Sequence, residues 1–260
     1  TVGWAGKNRP VSMGLGLVGR VDHTRGIWLQ TDTKRKQPIS LAKDLSELYN
    51  FPCYIDNDVK AATRAVKKWG YGKDSDNFIY INIGTSIAAG VFSEGNLIRG
   101  SHFNAGEVGH TNVGVDIGIR CGCGRDNCIK LIAGGFGFDK SARILSKTYK
   151  TRLYIPDKED IRVDVKEIYF LYQQNDELCV QLMENASQGI ANLIMNLVCV
   201  CDPDTVILGG GIVSSGVMYT HIMEKLNKTT MRFVADGVVL TKLNPDYAGL
   251  IGAAAVAMNE

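Results

Sequence analysis

The sequence predicts an α/β protein, and three observations carry that reading. Short runs rich in β-branched residues alternate with segments of helical periodicity. Glycine clusters follow several of the predicted strands. A length of 260 residues, 45% apolar and 22% charged, can bury a large core as one two-lobed protein or two modest domains.

Val11 to Val18 reads as a strand entering a turn in which Gly14, Gly16 and Gly19 permit close backbone approach. Ser40 is placed to cap a helix through Leu41, Leu45 and Leu48, whose spacing makes one apolar face, and Pro52 ends it. Cys53-Tyr54-Ile55 is a short strand ending at Asp56-Asn57-Asp58. A helix follows from Val59 to about Trp69, closed by Gly70 and Gly72. Phe78 to Ile83 and Ile87 to Phe92 form a hairpin-like pair, followed by a turn at Ser93-Glu94-Gly95-Asn96.

Ser101 to Cys128 is too irregular for a long helix or strand, and a loop of that size needs a staple or a function. Beyond it, Ile129 to Tyr149 and Val165 to Gln174 read as helices. The longest helical signal runs from about Leu178 to Val200, ended by Asp202-Pro203. Thr205 to Leu208 is a short buried strand running into Gly209-Gly210-Gly211, and a last helix begins near Tyr247.

Lys plus Arg number 29 against 27 for Asp plus Glu, a net charge of +2 that leaves no electrostatic footprint for nucleic acid or an anionic membrane. The run Lys34-Arg35-Lys36 reads as a solvated loop. No stretch reaches the roughly eighteen apolar residues of a membrane span and no signal peptide opens the chain, so the cytoplasm is the expected compartment.

Seven cysteines occur, an odd number, with three of them in Cys121-x-Cys123-x4-Cys128. That count and clustering point to reduced thiols and a metal site rather than a disulfide framework. His110 lies eleven positions before Cys121, and three thiolates plus one imidazole complete the closed tetrahedral shell of structural zinc. Arg120 and Arg125 are placed to offset thiolate charge. The competing reading is three unpaired cysteines in a surface loop with His110 unrelated.

Ala105-Gly106-Glu107-Val108-Gly109-His110, followed by Cys-x-Cys-Gly-x-x-x-Cys, resembles the signature of ROK proteins, a family of bacterial sugar kinases and sugar-responsive repressors. The resemblance continues in the glycine-rich loop from Gly14 to Asp22, in Ile55 to Ala62, in Gly84-Thr85, in Asp202 to Gly211 and in Gly252-Ala253-Ala254. It implies a two-lobed fold of the ribonuclease-H-like, actin-like ATPase type. Residues 1–75 would form an incomplete first lobe and residues 76–247 a second lobe with the zinc loop. Residues 248–260 would be a helix packing back on the first lobe.

The same resemblance makes Asp58 the catalytic base and places Asn57, Asp58, Glu107 and His110 on the sugar. Gly84, Thr85, Gly209, Gly210 and Gly211 would bind nucleotide, with ATP and Mg2+ as the kinase's cofactors. Zinc on His110, Cys121, Cys123 and Cys128 would shape the sugar loop, and a homodimer or higher homo-oligomer is expected. A carboxylate within reach of a sugar hydroxyl is what phosphoryl transfer to that hydroxyl needs. For Asn57 and Asp58 the plain structural alternative is a helix cap.

Four features depart from the family pattern. The Asp-x-Gly-Gly-Thr strand expected several dozen residues before Val11 is absent, so the first lobe reads as truncated at its N-terminus. The phosphate turn has Ser86 and Ala88 where glycines are usual. Lys130 stands where a sugar-binding glutamate is common, which suits an anionic sugar better than a neutral one. Val18 replaces a proline. The expected function is an ATP-dependent kinase for a hexose or amino sugar. The alternatives are a non-catalytic sugar-sensing effector domain of a ROK-type repressor, with its DNA-binding helices outside this chain, and a degenerate homologue that binds neither sugar nor ATP.

Overall fold

In chain order the elements are β1 (Met13–Leu17), β2 (Arg20–Asp22), β3 (Ile27–Gln30), α1 (Leu41–Tyr49), β4 (Cys53–Asn57), α2 (Asp58–Trp69), β5 (Phe78–Ile83), β6 (Ile87–Ser93) and β7 (Asn96–Leu97). They continue with α3 (Gly135–Leu145), α4 (Val165–Tyr172), α5 (Glu177–Cys201), β8 (Thr205–Gly209), α6 (Val217–Lys225), β9 (Val238–Leu240) and α7 (Ala248–Ala257). This computed structural model describes residues 10–30, 37–158, 160–245 and 247–258; the Lys34-Arg35-Lys36 run lies outside the described residues. No helix among the described residues is long and apolar enough to cross a membrane.

The chain divides into two units. The first comprises residues 1–76, 95–105 and 242–260, and the second residues 77–94 and 106–241. The segment 95–105, expected with the second lobe, thus belongs to the first unit.

In the first unit, β1 and β4 pair in parallel, with Leu17 opposite Asn57, while β2 and β3 form an antiparallel hairpin. The segment 95–105 is bound there by Arg99, which grips the buried Asp56 with both guanidinium arms at 2.7 Å. Lys60 of α2 donates from Nζ to the Ala105 carbonyl at 2.9 Å. Helix α7 packs on α2 and β1 through small residues, with Gly252 against Ala61 and Ala62.

In the second unit, a five-stranded sheet has the order β7-β6-β5-β8-β9. β5 runs antiparallel to β6 and parallel to β8, and β8 runs parallel to β9. Phe78, Ile79, Tyr80, Ile81 and Ile83 of the central strand are all buried, the near-continuous apolar run expected of a strand covered on both faces. Ile79, Ile81 and Ile83 share one core with Val206 and Leu208 of β8 and with Leu182, Met183, Ile190 and Ile194 of α5. The α5 stripe read from the sequence is therefore the wall of this core. Its start is capped by Asp176 and its end by Asp202 in the left-handed region (φ 44°).

Several sequence expectations are corrected. On α1 the apolar face is only partly covered: Leu41 and Leu45 are half-buried, Leu48 is 71% exposed and Ala42 is the buried residue. Ser40 holds the cap position without a side-chain cap bond. The helix predicted from Ile129 to Tyr149 is broken into a 3-10 turn at Ile129–Leu131 and then α3. Gly134 separates them because α3 must start against the turn after β5, where the Gly135 and Phe136 N–H groups donate to the Gly84 and Thr85 carbonyls at 2.8 and 2.9 Å. The β2–β3 hairpin, α6 and β9 are short elements that periodicity did not mark.

Candidate functional site

In the first unit, the strand β4 delivers Asp56, Asn57 and Asp58 to the start of α2. Asn57 is the cap: its Oδ1 accepts the Val59 and Lys60 N–H groups at 3.1 Å each. Its Nδ2 donates to the Gly19 carbonyl at 3.1 Å and to Asp58 Oδ1 at 3.0 Å. Of the two readings of Asn57, the geometry displays the cap, and the same amide also ties the glycine-rich turn to the helix. Asp58 is exposed at the first position of α2, and its Oδ1 also accepts the Val59 N–H at 2.9 Å. Asp56 braces this arrangement from behind by accepting the Asn57 N–H at 2.8 Å.

Close by, Arg20 Nε and His23 Nδ1 are buried without a hydrogen-bond partner. Burial first, and then the charge of Arg99, hold His23 below the usual imidazole value.

In the second unit, β5 and β8 run parallel with Asn82 opposite Gly209, so the turn after β5 and the glycines after β8 lie at the same carboxyl end of the sheet. That end is where open α/β sheets place their ligands. A cavity of about 500 Å³ is lined there by Gly84, Thr85, Tyr169, Gly211 and Ser214, among others. The three glycines do different work. A side chain on Gly209 would overlap the Tyr80 hydroxyl. Gly210, at φ +95°, packs against the Ile83 carbonyl, and Gly211 alone faces open space. Ile212 N–H then donates to the Ile83 carbonyl at 3.1 Å, closing the turn. The expected phosphate turn is shorter than the sequence implied: Thr85 and Ser86 are exposed, while Ala88 is a strand residue paired with Asn82.

Sequence reasoning missed Asp164, Lys166, Tyr169, Ser214 and Ser215 in this cavity wall. Only Asp164 carried a signal, as the residue capping α4 with its carboxylate on the Lys166 N–H at 2.9 Å. The Tyr169 hydroxyl donates to the Ile212 carbonyl at 2.6 Å, and burial pushes its phenol well above the ordinary value.

The third region is the thiol loop. Glu107, exposed, opens a 3-10 turn at Val108–His110, and its carbonyl accepts the His110 N–H at 3.2 Å. Gly109 lets this turn lie on β6, since any side chain there would overlap the Ile87 carbonyl. A tight turn carries Cys121 to Gly124, with Cys121 N–H on the Arg125 carbonyl and Gly124 N–H on the Cys121 carbonyl, each 2.9 Å. Buried Asn127, in the left-handed region at φ 53°, fastens the loop: its Oδ1 accepts from Ile117 and Ile119 at 3.2 and 3.1 Å. In the sequence nothing distinguishes it from a solvated loop asparagine.

The result is convergence of all four predicted ligands. One donor atom from each of His110, Cys121, Cys123 and Cys128 lies within 4.8 Å of the others. Cys123 Sγ and Cys128 Sγ are 3.5 Å apart, and Cys121 Sγ is 3.7 Å from His110 Nδ1. Tetrahedral zinc with sulfur at about 2.3 Å sets ligand-to-ligand edges of roughly 3.5–3.8 Å, so these two edges match that ion and the donor set fits it in kind and number.

The thiols are unequal. The Arg125 N–H, assisted by Cys121, His110 and Cys128, draws the Cys123 thiol down to about 6, whereas burial raises Cys128 to about 12. Arg120 is taken up by Asp126 at 2.9 Å, and Arg125 donates to the His110 carbonyl at 3.4 Å. Beside the cluster, Lys130 Nζ lies 3.0 Å from His110 Nε2.

An α/β sheet with a glycine turn and a cavity at its carboxyl end, beside a loop that gathers three cysteines and a histidine, defines the class of fold. The ROK family pattern matches residues 5–260, and the chain belongs to the ROK family. It is 25% identical over 251 residues to a glucokinase of Halalkalibacterium halodurans, covering 95% of this chain and 76% of that protein. The crystal structure of a ROK hexokinase from Thermus thermophilus superposes with a TM-score of 0.78 at 26% identity, covering 96% of this chain and 80% of that one. A ROK family transcriptional regulator, a homologue of the E. coli MLC protein, shares the fold with a TM-score of 0.78 at 22% identity, over 97% of this chain and 63% of that one.

Proposed function

We propose that this chain is an ATP-dependent sugar kinase of the ROK type, phosphorylating a hydroxyl of a hexose or amino sugar with Asp58 as general base. The observation that carries the reading is the setting of Asp58: an exposed carboxylate at the start of α2, oriented by Asn57 Nδ2 and the Val59 N–H. A base so held takes the proton of a sugar hydroxyl as the phosphoryl group arrives. Asn57 serves the sugar site by fixing Asp58 and the Gly19 turn.

In the second unit, Glu107 and His110 are assigned to the sugar. Gly84, Thr85 and Gly211 line the cavity assigned to ATP, and Gly209 and Gly210 shape its floor. Zinc supplies no step of the reaction; His110, Cys121, Cys123 and Cys128 would hold it so that the Glu107–His110 turn keeps its shape.

Two measurements test this. Calorimetric titration with a nonhydrolysable ATP analogue and Mg2+ should show binding. A panel of hexoses and amino sugars should contain one whose phosphorylation falls at least a thousandfold in Asp58→Asn, with sugar binding retained. A second reading, the sugar-sensing effector domain of a ROK-type repressor, draws support from the exposed Ser86 side chain at the phosphate turn. Sugar binding with no heat from the nucleotide would select it.

A further inference from the structure

Arg20 Nε and His23 Nδ1 are the two buried side-chain nitrogen or oxygen atoms among the described residues that lack a hydrogen-bond partner. A neutral imidazole tolerates this when the buried nitrogen carries no proton. An imidazolium puts an N–H there and must find it an acceptor. What His23 does meet is Phe103, with the two rings edge to face and their centroids 6.0 Å apart.

Phe103 is held under strain. Six non-glycine residues among those described have a positive φ, and five of them are Asn, Asp or Glu; Phe103, at φ 58°, is the one bulky apolar side chain. Such a backbone persists only where its surroundings impose it. The segment around it is anchored at both ends: Arg99 grips Asp56, and Lys60 Nζ holds the Ala105 carbonyl. The Ala105 N–H closes the arch on the Arg99 carbonyl at 3.2 Å. Within the arch, the Phe103 N–H reaches the Gly100 carbonyl only at 3.4 Å, and Phe103 is the one residue of 100–104 that is not exposed.

The charges around His23 leave a proton on it poorly served. Arg99 of the segment and Arg64 of α2 repel that proton, while Asp56 of β4 and Asp22 of β2 attract it. Both Asp56 oxygens are already taken by Arg99, and Asp22 Oδ1 accepts the Thr24 hydroxyl at 2.7 Å and the Arg25 N–H at 3.0 Å. Burial first, and then Arg99, hold the imidazole below its ordinary 6.5.

We infer that His23 is an acid-sensitive latch on residues 100–104: neutral, it seats Phe103; protonated, it turns toward an acceptor and lets the strained arch go. Phe103 then leaves the left-handed region, and the arch opens between anchors at Asp56 and Lys60 that lie on either side of Asp58 in the chain. A folded value below the unfolded one keeps the latch secure above 6.5 and weakens it as the pH falls toward and through the folded value. The latch needs neither sugar nor nucleotide, so it stands or falls independently of the kinase reading.

Hydrogen exchange of the full chain, supplied with zinc and read by mass spectrometry at about pH 7.5 and about pH 5.5 with intrinsic rates corrected, is the test. The opening constant of 100–105 should rise by about three- to ten-fold on acidification, the upper figure being the ceiling for one group about one unit below its ordinary value. His23→Gln, which cannot titrate, should abolish the rise. Phe103→Gly, free of the strain, should keep the arch protected at both pH values. His23→Gln shares any acid effect on the thiol loop, so its difference from the native protein belongs to His23. A histidine-selective NMR titration of the native chain, with His23 identified by its cross-peak to Phe103, should give a midpoint below 6.5.

Equal exchange of 100–105 at the two pH values overturns the inference, and so does a rise that either variant retains. A rise spread equally over the whole first unit, or a His23 midpoint at or above 6.5, overturns it as well.

Discussion

Arg99 holds Asp56 in a two-armed ion pair, 2.7 Å on each arm, with the Asp56 side chain 1% exposed. The second bond of Asp56, from the Asn57 N–H at 2.8 Å, makes this pair the rear support of the Asn57–Asp58 corner. Removing one partner strands a buried charge, at about 3–5 kcal/mol. Arg99→Met should therefore lower the free energy of unfolding by that amount, read as a lower urea midpoint with m unchanged, and Arg99→Lys, which keeps the charge but not the fork, should recover only part. A loss under about 0.5 kcal/mol, the range of ordinary surface substitutions, would mean that the pair does not brace the corner.

The glycines after β8 allow a graded test. Gly210→Ala combines a left-handed φ of +95° with overlap on the Ile83 carbonyl, so it should cost about 2 kcal/mol or more. Gly211→Ala meets no atom within 4 Å and should leave Tm unchanged while weakening the ATP analogue. Equal effects of the two on stability would contradict the assignment of only Gly211 to the cavity.

Metal content is read by mass spectrometry. The native protein should hold one zinc per chain, and Cys123→Ser should lose it. If the site supplies about 3 kcal/mol, chelation should lower Tm by roughly 6–12 °C. A zinc-free native protein with an unshifted Tm under chelators would leave the four donors as unligated thiols and a histidine.

Asp176 sets an acid limit on stability. Burial works against its charge, but the Arg152 N–H and Thr151 hydroxyl at 2.8 Å and the Cys179 N–H at 3.2 Å outweigh burial and hold the carboxyl below its ordinary 3.8. A folded value below the unfolded one means stability present above pH 3.8 and lost as pH falls through the folded value. Asp176→Ala should cost about 1–2 kcal/mol at pH 7, and its deficit relative to the native protein should shrink as the pH is taken below 3.8. A deficit that grew on acidification would rule out the carboxylate as the source.

Much of this arrangement was legible because the residues announce it by type and spacing. Cys-x-Cys-x4-Cys after a histidine predicted the convergence of four ligands, since few other uses exist for such a cluster in a glycine-rich loop. The α5 stripe and the β5 run were readable because one long period and one continuous apolar stretch dominate local alternatives.

The break at Gly134 was not readable: it is imposed by the turn after β5, which is fifty residues away in sequence. Asn57 shows the same limit. Its residue type fits both a cap and a sugar contact, and only its distances to Val59, Lys60 and Gly19 show where its amide is spent. Lys166, Tyr169, Ser214 and Ser215 became cavity residues through tertiary placement alone.

The intimate seat of α7 has a consequence for biosynthesis. A side chain at Gly14 would overlap the Ala253 carbonyl, and Ser12 Oγ donates to the Ala257 carbonyl at 2.8 Å, so β1 is closed by residues made some 245 positions later. All residues of the second unit have been synthesised by position 241, whereas the first unit lacks its closing helix until 248–257 emerge. On the ribosome, the half translated first must therefore wait with its apolar surface uncovered, and this is the interval in which chaperone capture or aggregation competes with folding.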